Sequence, residues 1–205
     1  MSKRIAAKKK ASRKLGVSLW GQAKDPFIKR NYKPGQHGAG FRSRLSDYGT
    51  QLMAKQKLKM YYGNISEKQF KNTFKEATKM KGDVSENFIS LLERRLDVVV
   101  YRANFVPTVF SARQFVNHKH VLVNGKSVNI PSYRLKIGDT VEVREKSRTM
   151  NMVIESLDKM ERDTPTYAQL DKEAFLAKLT DKPTFAEVPY AAEMEPNLIV
   201  EYYSR

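Results

Sequence analysis

Three histidines invite a chemical reading first. His118 and His120 stand two apart where a helical pattern gives way to a strand-like one, and His37 is the only other. A zinc site takes three or four nitrogen, sulfur or carboxylate ligands close together, and this pair with one distant histidine does not make one. Cysteine is absent, which excludes disulfides and thiolate ligands together. The stretch 91–148 offers no nucleophile–base pair and no metal cluster, so the expected catalytic residues, metal and cofactors are none. His118 and His120 are instead assigned to hydrogen bonds with a phosphate or with backbone.

What the chain does carry is cations: 38 Lys+Arg against 22 Asp+Glu over 205 residues, a net charge of +16. Residues 1–60 hold 16 basic against 2 acidic side chains and residues 101–150 hold 9 against 3, whereas 151–205 reverse the sign at 6 against 11. An excess concentrated in this way repels itself, and a polyanionic partner relieves that repulsion. Arginine suits phosphate because its planar fork bonds two oxygens at once. In the central stretch the candidates are Arg94, Arg95, Arg102, Arg113, Lys119 and Lys126. Gln114, Asn117 and Asn124 are placed to read sugar hydroxyls. Arg94 also fits a helix-stapling pair with Asp97, Asn124 fits a turn former, and Tyr133 fits core packing or a ribose platform equally. In the first 60 residues Arg42, Arg44, Lys55, Lys57 and Lys59 are expected along phosphates.

These side chains need elements to hold them. Phe88, Leu91, Leu92, Leu96 and Val99 recur at spacings of three and four, one apolar helical stripe that places Arg95 and Arg102 on a shared face. Pro107 forces a turn, and Thr108 is the expected N-cap of a second helix with Val109, Ala112, Phe115 and Val116 inward. Asn124-Gly125 is a two-residue hairpin signal, Gly138-Asp139 marks the next turn, and Val141 and Val143 alternate as in a half-buried strand.

Upstream, residues 1–45 read as a basic arm that orders on RNA. The start also fits an organellar transit peptide and lacks the apolar core of a secretory signal. Trp20, Phe27, Tyr32 and Phe41 fit base stacking or docking of the arm. PGQHG (34–38) is a turn whose bare backbone can approach phosphates. A helix enters at Ser46 or Asp47, and another at Ser66 with Gln69 as capping box and Ile65 with Phe70 as staple, ending at Gly82. A third starts near Ser85. Downstream, a short helix is expected around Val153–Met160 and an edge strand at 165–171. Residues 172–196 should hold little regular structure, and the apolar 197–205 should dock on the helical part. No apolar run reaches the roughly 20 residues of a membrane helix.

LLERRLD (91–97), ARQFV (112–116), HVLVNGK (120–126), VNIPSY (128–133) and IGDTVEVREKSR (137–148) resemble the small S-four RNA-binding module. PGQHG (34–38), LSDYG (45–49), KQKLK (55–59), YYG (61–63), NFISLLERRLD (87–97) and LIVEYYS (198–204) extend the resemblance to the bacterial-type small-subunit ribosomal protein S-four family over nearly the whole chain. The resemblance implies an α+β fold: a helical domain with an inserted S-four-type RNA-binding domain, two helices packed on a small, mainly antiparallel sheet, plus a basic N-terminal extension. The expected boundaries are 1–45 for the arm, 46–92 with 185–205 for the helical domain and 93–184 for the inserted domain, its module core at 93–155.

It further implies a structural, non-enzymatic constituent of the small subunit that binds a junction in the 5′ domain of its rRNA during assembly. Its neighbours would be small-subunit proteins S-five and S-three near the mRNA entrance, with an effect on decoding accuracy. It would be neither membrane-bound nor a homo-oligomer, and would reside in the bacterial cytoplasm. The chain departs from the family where a cysteine cluster often holds zinc, at Val109 where Arg often follows the helix cap, and at Pro183, Phe185 and Glu187 where P-x-R-x-D is common. An RNA enzyme using the module as a grip would need a catalytic domain that the acidic, proline-broken tail does not supply. A free regulatory or recycling factor, similar to the heat-shock ribosome binder that shares the module, is the alternative binding module.

Overall fold

A computed structural model describes residues 8–22, 24–40 and 44–204. In chain order the elements are α1 (Lys8–Leu15), α2 (Pro26–Lys29), α3 (Asp47–Tyr61), α4 (Glu67–Ala77), α5 (Val84–Glu93), α6 (Leu96–Arg102) and α7 (Val109–Asn117). There follow β1 (Val121–Val123), β2 (Lys126–Ser127), β3 (Thr140–Val143), α8 (Glu145–Arg148), α9 (Asn151–Lys159), β4 (Ala168–Asp171), β5 (Leu176–Leu179) and α10 (Pro196–Ser204). The chain divides into two compact units, Met1–Asn72 with Tyr190–Arg205, and Thr73–Pro189. The sequence boundary at 92/93 puts α5 with the helical part, whereas this division places it in the second unit.

In the first unit α10 packs along α3. Gln51, Ala54, Lys55, Leu58 and Tyr61 recur at helical spacing on the buried side of α3. Ser46 caps that helix, its hydroxyl accepting from Gly49 N at 3.2 Å. In the preceding segment Asp25 caps α2 and accepts from the hydroxyls of Ser12 at 2.8 Å and Ser18 at 3.3 Å. Trp20 donates its indole N–H to Tyr61 O at 3.1 Å, so it docks the segment. Arg13 lies 4.7 Å from the Tyr32 ring centroid and donates to the carbonyls of Tyr32 and Lys33. The PGQHG turn needs its last glycine for the chain's own sake, because a Cβ on Gly38 would stand 1.8 Å from Lys33 O. Phe41 and Arg42 lie outside the described residues.

The second unit carries an antiparallel five-stranded sheet in the order β2–β1–β3–β5–β4. Val121, Val123, Val141, Val143, Ala177 and Leu179 are buried on alternate positions, as a one-sided sheet requires. α6 and α7 pack together, and Thr108 caps α7 by accepting from Ser111 N at 3.1 Å. Asn124 and Gly125, at φ 49° and 75°, turn the β1–β2 hairpin in the left-handed region that two-residue turns favour.

Two expectations fail for identifiable reasons. The stripe 88–99 is not one helix: Arg94 ends α5 and Arg95 precedes α6 in an extended conformation. Residues 94–97 bond instead to the β2–β3 connection, with Leu96 N to Tyr133 O at 2.8 Å, Asp97 N to Pro131 O at 3.1 Å and Leu135 N to Arg94 O at 2.9 Å. Those carbonyls satisfy the first amides of α6, which has no side-chain cap. In 172–196, expected to be largely irregular, Leu176–Leu179 forms β5 and pairs with β3 on one side and β4 on the other. Its apolar alternation is only four residues long and is hidden among acids and prolines. α4 ends at Ala77, ahead of Gly82.

Candidate nucleic-acid interface

The cations assigned to phosphate fall into two groups. The first is occupied inside the protein. Arg102 is 2% exposed and clamps Glu93, Nε to Oε2 at 3.0 Å and Nη2 to Oε1 at 2.8 Å, with Tyr167 Oη donating to Oε2 at 2.7 Å. Arg95 is buried on Asp97 in the same two-pronged way, at 3.1 and 2.9 Å, and Arg113 Nη2 lies 3.7 Å from that carboxylate. Arg94 donates Nε to Leu135 O at 2.8 Å. Arg95 and Arg102, expected on phosphates, are buried in ion pairs in this structure, and breaking such a pair leaves an uncompensated charge.

The lysines of α3 are likewise engaged. Lys55 is buried, bonds Glu67 Oε1 at 2.9 Å and lies 4.4 Å from the Tyr202 ring centroid. Burial works against its charge, but hydrogen bonds with Glu67 and Tyr202 hold its pKa above the ordinary lysine value. Lys59 bonds Glu67 Oε2 at 3.0 Å and Lys57 bonds Glu195 at 3.2 Å. Burial would raise the Glu67 pKa, yet donation from Lys55, Lys59 and Tyr203 brings it down to about 2. The expectation that these lysines line phosphates therefore meets side chains already tied to acids. In this unit Arg44 is exposed, as are Lys68 and Lys71 on α4. Those two had no special standing in the sequence reading, although they lie opposite the buried Phe70 and could have been found from that polarity.

The second group converges at one corner of the second unit. α7 ends at His118, Lys119 takes φ 62°, and His120 leads into β1. Arg144, just past β3, donates its amide to His120 O at 2.9 Å. Ser147 on α8 is hydrogen-bonded to His120 Nδ1 at 2.8 Å, and the imidazole stacks on Phe115 with centroids 4.9 Å apart. The two histidine rings are 6.0 Å apart. His118, Lys119, Arg144 and Lys146 are exposed, with Gln114 exposed on α7 and Lys126 on the hairpin. Burial lowers the His120 pKa, and the positive potential of His118 and Arg144 lowers it further. The corner holds Lys119, Arg144 and Lys146 against the single carboxylate of Glu145. Arg144 and Lys146 were missed from sequence, though the run REKSR (144–148) carries the signal. Arg148 in the same run turns back to Val143 O at 3.1 Å.

Of the amides, Asn124 is engaged within the protein, whereas Gln114 is exposed. Asn124 Nδ2 donates to Asp139 Oδ1 at 2.8 Å and its Oδ1 accepts from Thr140 N at 2.9 Å, so the side chain closes two turns on each other. Asn117 is half-buried. Among the described residues no group of three or more His, Cys, Asp or Glu side chains is placed to hold a metal ion, and no helix is long and apolar enough to cross a membrane.

Residues 3–93 match the sequence model of the ribosomal protein S4/S9 N-terminal domain, and residues 94–141 match that of the S4 domain. These define a ribosomal protein with an S4 domain, consistent with the mixed helical and antiparallel architecture. Proteins named small ribosomal subunit protein uS4 align along their whole length with the whole of this chain: 57% identical over 205 residues in Parvibaculum lavamentivorans, 58% over 205 in Brucella anthropi and 59% over 204 in Hyphomonas neptunium. The chain belongs to the uS4 family of small ribosomal subunit proteins. It is a component of the translation machinery and not an enzyme.

Proposed function

We propose that this chain binds small-subunit rRNA directly, at a helix junction of the 5′ domain, and organises that junction during assembly. The observation that carries the reading is the corner built by His118, Lys119, His120, Arg144 and Lys146. Among the described residues Lys119, Arg144 and Lys146 form no ion pair and outnumber the one carboxylate in that corner, Glu145, on a frame of one helix end, one strand end and one short helix. Arg44, Lys68, Lys71, Lys126 and the amide of Gln114 add phosphate and sugar contacts. Arg95, Arg102 and the α3 lysines hold the frame instead.

By family resemblance the assembled protein sits beside small-subunit proteins S-five and S-three at the mRNA entrance, contributes to decoding accuracy and resides in the bacterial cytoplasm. The domain organisation proposed is a basic arm, a helical domain closed by the C-terminal segment, and the S4-containing domain inserted between them.

Binding of the full chain to protein-free small-subunit rRNA, followed across salt concentrations with footprinting, tests this. With about six phosphates neutralised, log affinity should fall against log salt with a slope of about −4 to −5. A slope near −1, or protection confined to regions outside the 5′ domain, would refute the reading.

A further inference from the structure

β4 forms one edge of the sheet, and among the described residues no strand lies on its outer side. Thr180 N donates to Tyr167 O at 2.9 Å, and the register continues as Gln169↔Lys178 and Asp171↔Leu176. Closely bonded and open pairs alternate in an antiparallel ladder, so residues 167, 169 and 171 direct their backbone groups at β5. Leu170 N–H and C=O, with the carbonyl of Ala168, therefore point to the free edge. The Ala168 amide is taken by Pro165 O at 3.0 Å.

Along this edge runs an open groove of about 540 Å³ lined by Met160, Thr164, Pro165, Thr166, Leu170 and Thr180, with the exposed Lys172 at one end. Thr164 Oγ1 is buried there and has no hydrogen-bond partner among the described residues. At the rim Thr166 donates to Glu187 Oε1 at 2.9 Å and Thr184 donates to Oε2 at 2.6 Å, which fixes an exposed carboxylate beside the groove. The surroundings are acidic in an otherwise basic chain: residues 160–190 hold six Asp+Glu and four Lys+Arg. Of those four cations, Arg162 donates inward to Val106 O and Pro107 O and Lys182 bonds Asn87, whereas Lys172 at the groove and Lys178 on β5 are exposed and offset part of the six acids.

We propose that the free edge of β4 is a docking site for an extended, lysine- or arginine-rich segment of another protein, which adds as a sixth strand and pairs one cation with Glu187. Strand addition supplies backbone hydrogen bonds at Leu170, and the groove and Thr164 receive alternate side chains. Charge selects the occupant. A polynucleotide would face the fixed Glu187 carboxylate in a stretch with more acids than bases, and a second copy of this chain would bring a second Glu187 against the first. A basic foreign strand has neither conflict.

The test uses the isotope-labelled full chain and an eight-residue peptide of alternating valine and lysine. The peptide should shift the Ala168 and Leu170 amides and slow exchange at Leu170 at least tenfold. Glu187→Gln can still accept from Thr184 N–H and O–H through its carbonyl and donate its amide to Thr166 Oγ1, and it should weaken the peptide about tenfold while leaving rRNA affinity unchanged. An alternating valine–glutamate peptide that moves the same amides equally would overturn the assignment. So would rRNA fragments that shift β4, which would make the edge a polynucleotide surface, or β4 shifts that grow with protein concentration alone, which would make it a self-association site. In assembled subunits a carbodiimide should join Glu187 to a lysine of another protein. Glu187 as open there to modification by a small amine as in the free chain would also defeat the proposal.

Discussion

Arg102 and Glu93, nine residues apart on two different helices, form a two-pronged ion pair at 2.8 and 3.0 Å inside the second unit. Tyr167 from the strand region completes the carboxylate's hydrogen bonding, and Arg102 Nη1 donates to Pro189 O at 3.3 Å. The pair ties the break between α5 and α6 to the far end of the chain segment that makes up the unit. Removing one partner strands a buried charge, so Arg102→Ala should cost about 3–5 kcal/mol of folding stability. Urea unfolding measures this. The substitution should not flatten the salt dependence of rRNA binding where the variant is folded. A variant of wild-type stability that had lost a phosphate contact would mean that Arg102 works at the surface.

The cationic corner makes the opposite demand. Arg144 and Lys146 are exposed, so replacing both with Ala should leave the unfolding midpoint nearly unchanged. With two phosphate contacts gone, the salt slope should become shallower by about 1.5 and affinity at moderate salt should fall about tenfold. Filter binding at four or five salt concentrations would decide it. An unchanged slope would take the corner out of the interface.

Much of this architecture was legible because its signals are local. Ser46 and Thr108 cap helices within three residues of themselves, Asn124-Gly125 turns a hairpin by its own backbone preference, and Val141 and Val143 alternate within one strand. The destination of a charged side chain is not local. Lys55 meets Glu67 twelve residues on, Arg102 meets Glu93 across a helix break, and Arg94 bonds a carbonyl 41 residues away. A lysine on a helix face looks the same in sequence whether a carboxylate or solvent lies opposite. Charge density could therefore mark the chain as a polyanion binder without saying which cations remain for the polyanion. The break at Arg94–Arg95 was hidden for a related reason, since its hydrogen-bond partners lie at 131–135.

Glu67 gives the first unit a defined acid sensitivity. Its folded pKa of about 2 lies below the ordinary 4.5, so the stabilisation it provides is fully present above pH 4.5 and is lost as pH falls towards 2. Glu67 is nearly half exposed, and solvent screening reduces the contribution to about 1 kcal/mol. Glu67→Gln should lower stability at pH 7 and flatten the pH dependence between 4.5 and 2. Parallel acid-unfolding curves for variant and parent would rule out this role.

His120 offers a readout of the corner that does not depend on affinity. In the free chain, burial and the charges of His118 and Arg144 depress its pKa, so its imidazole should titrate below 6.5. Neutral His120 favours the folded state, and that stabilisation is present above pH 6.5 and falls away as the pH drops through the folded pKa. A phosphate seated among His118, Lys119, Arg144 and Lys146 would cancel the repulsion and raise the His120 pKa. Proton-detected titration of the imidazole in free and rRNA-bound protein should show that upward move, and Arg144→Ala should raise the free value while shrinking the shift on binding. A pKa that stays put or falls when rRNA binds would place the phosphates elsewhere, however strongly the RNA is held.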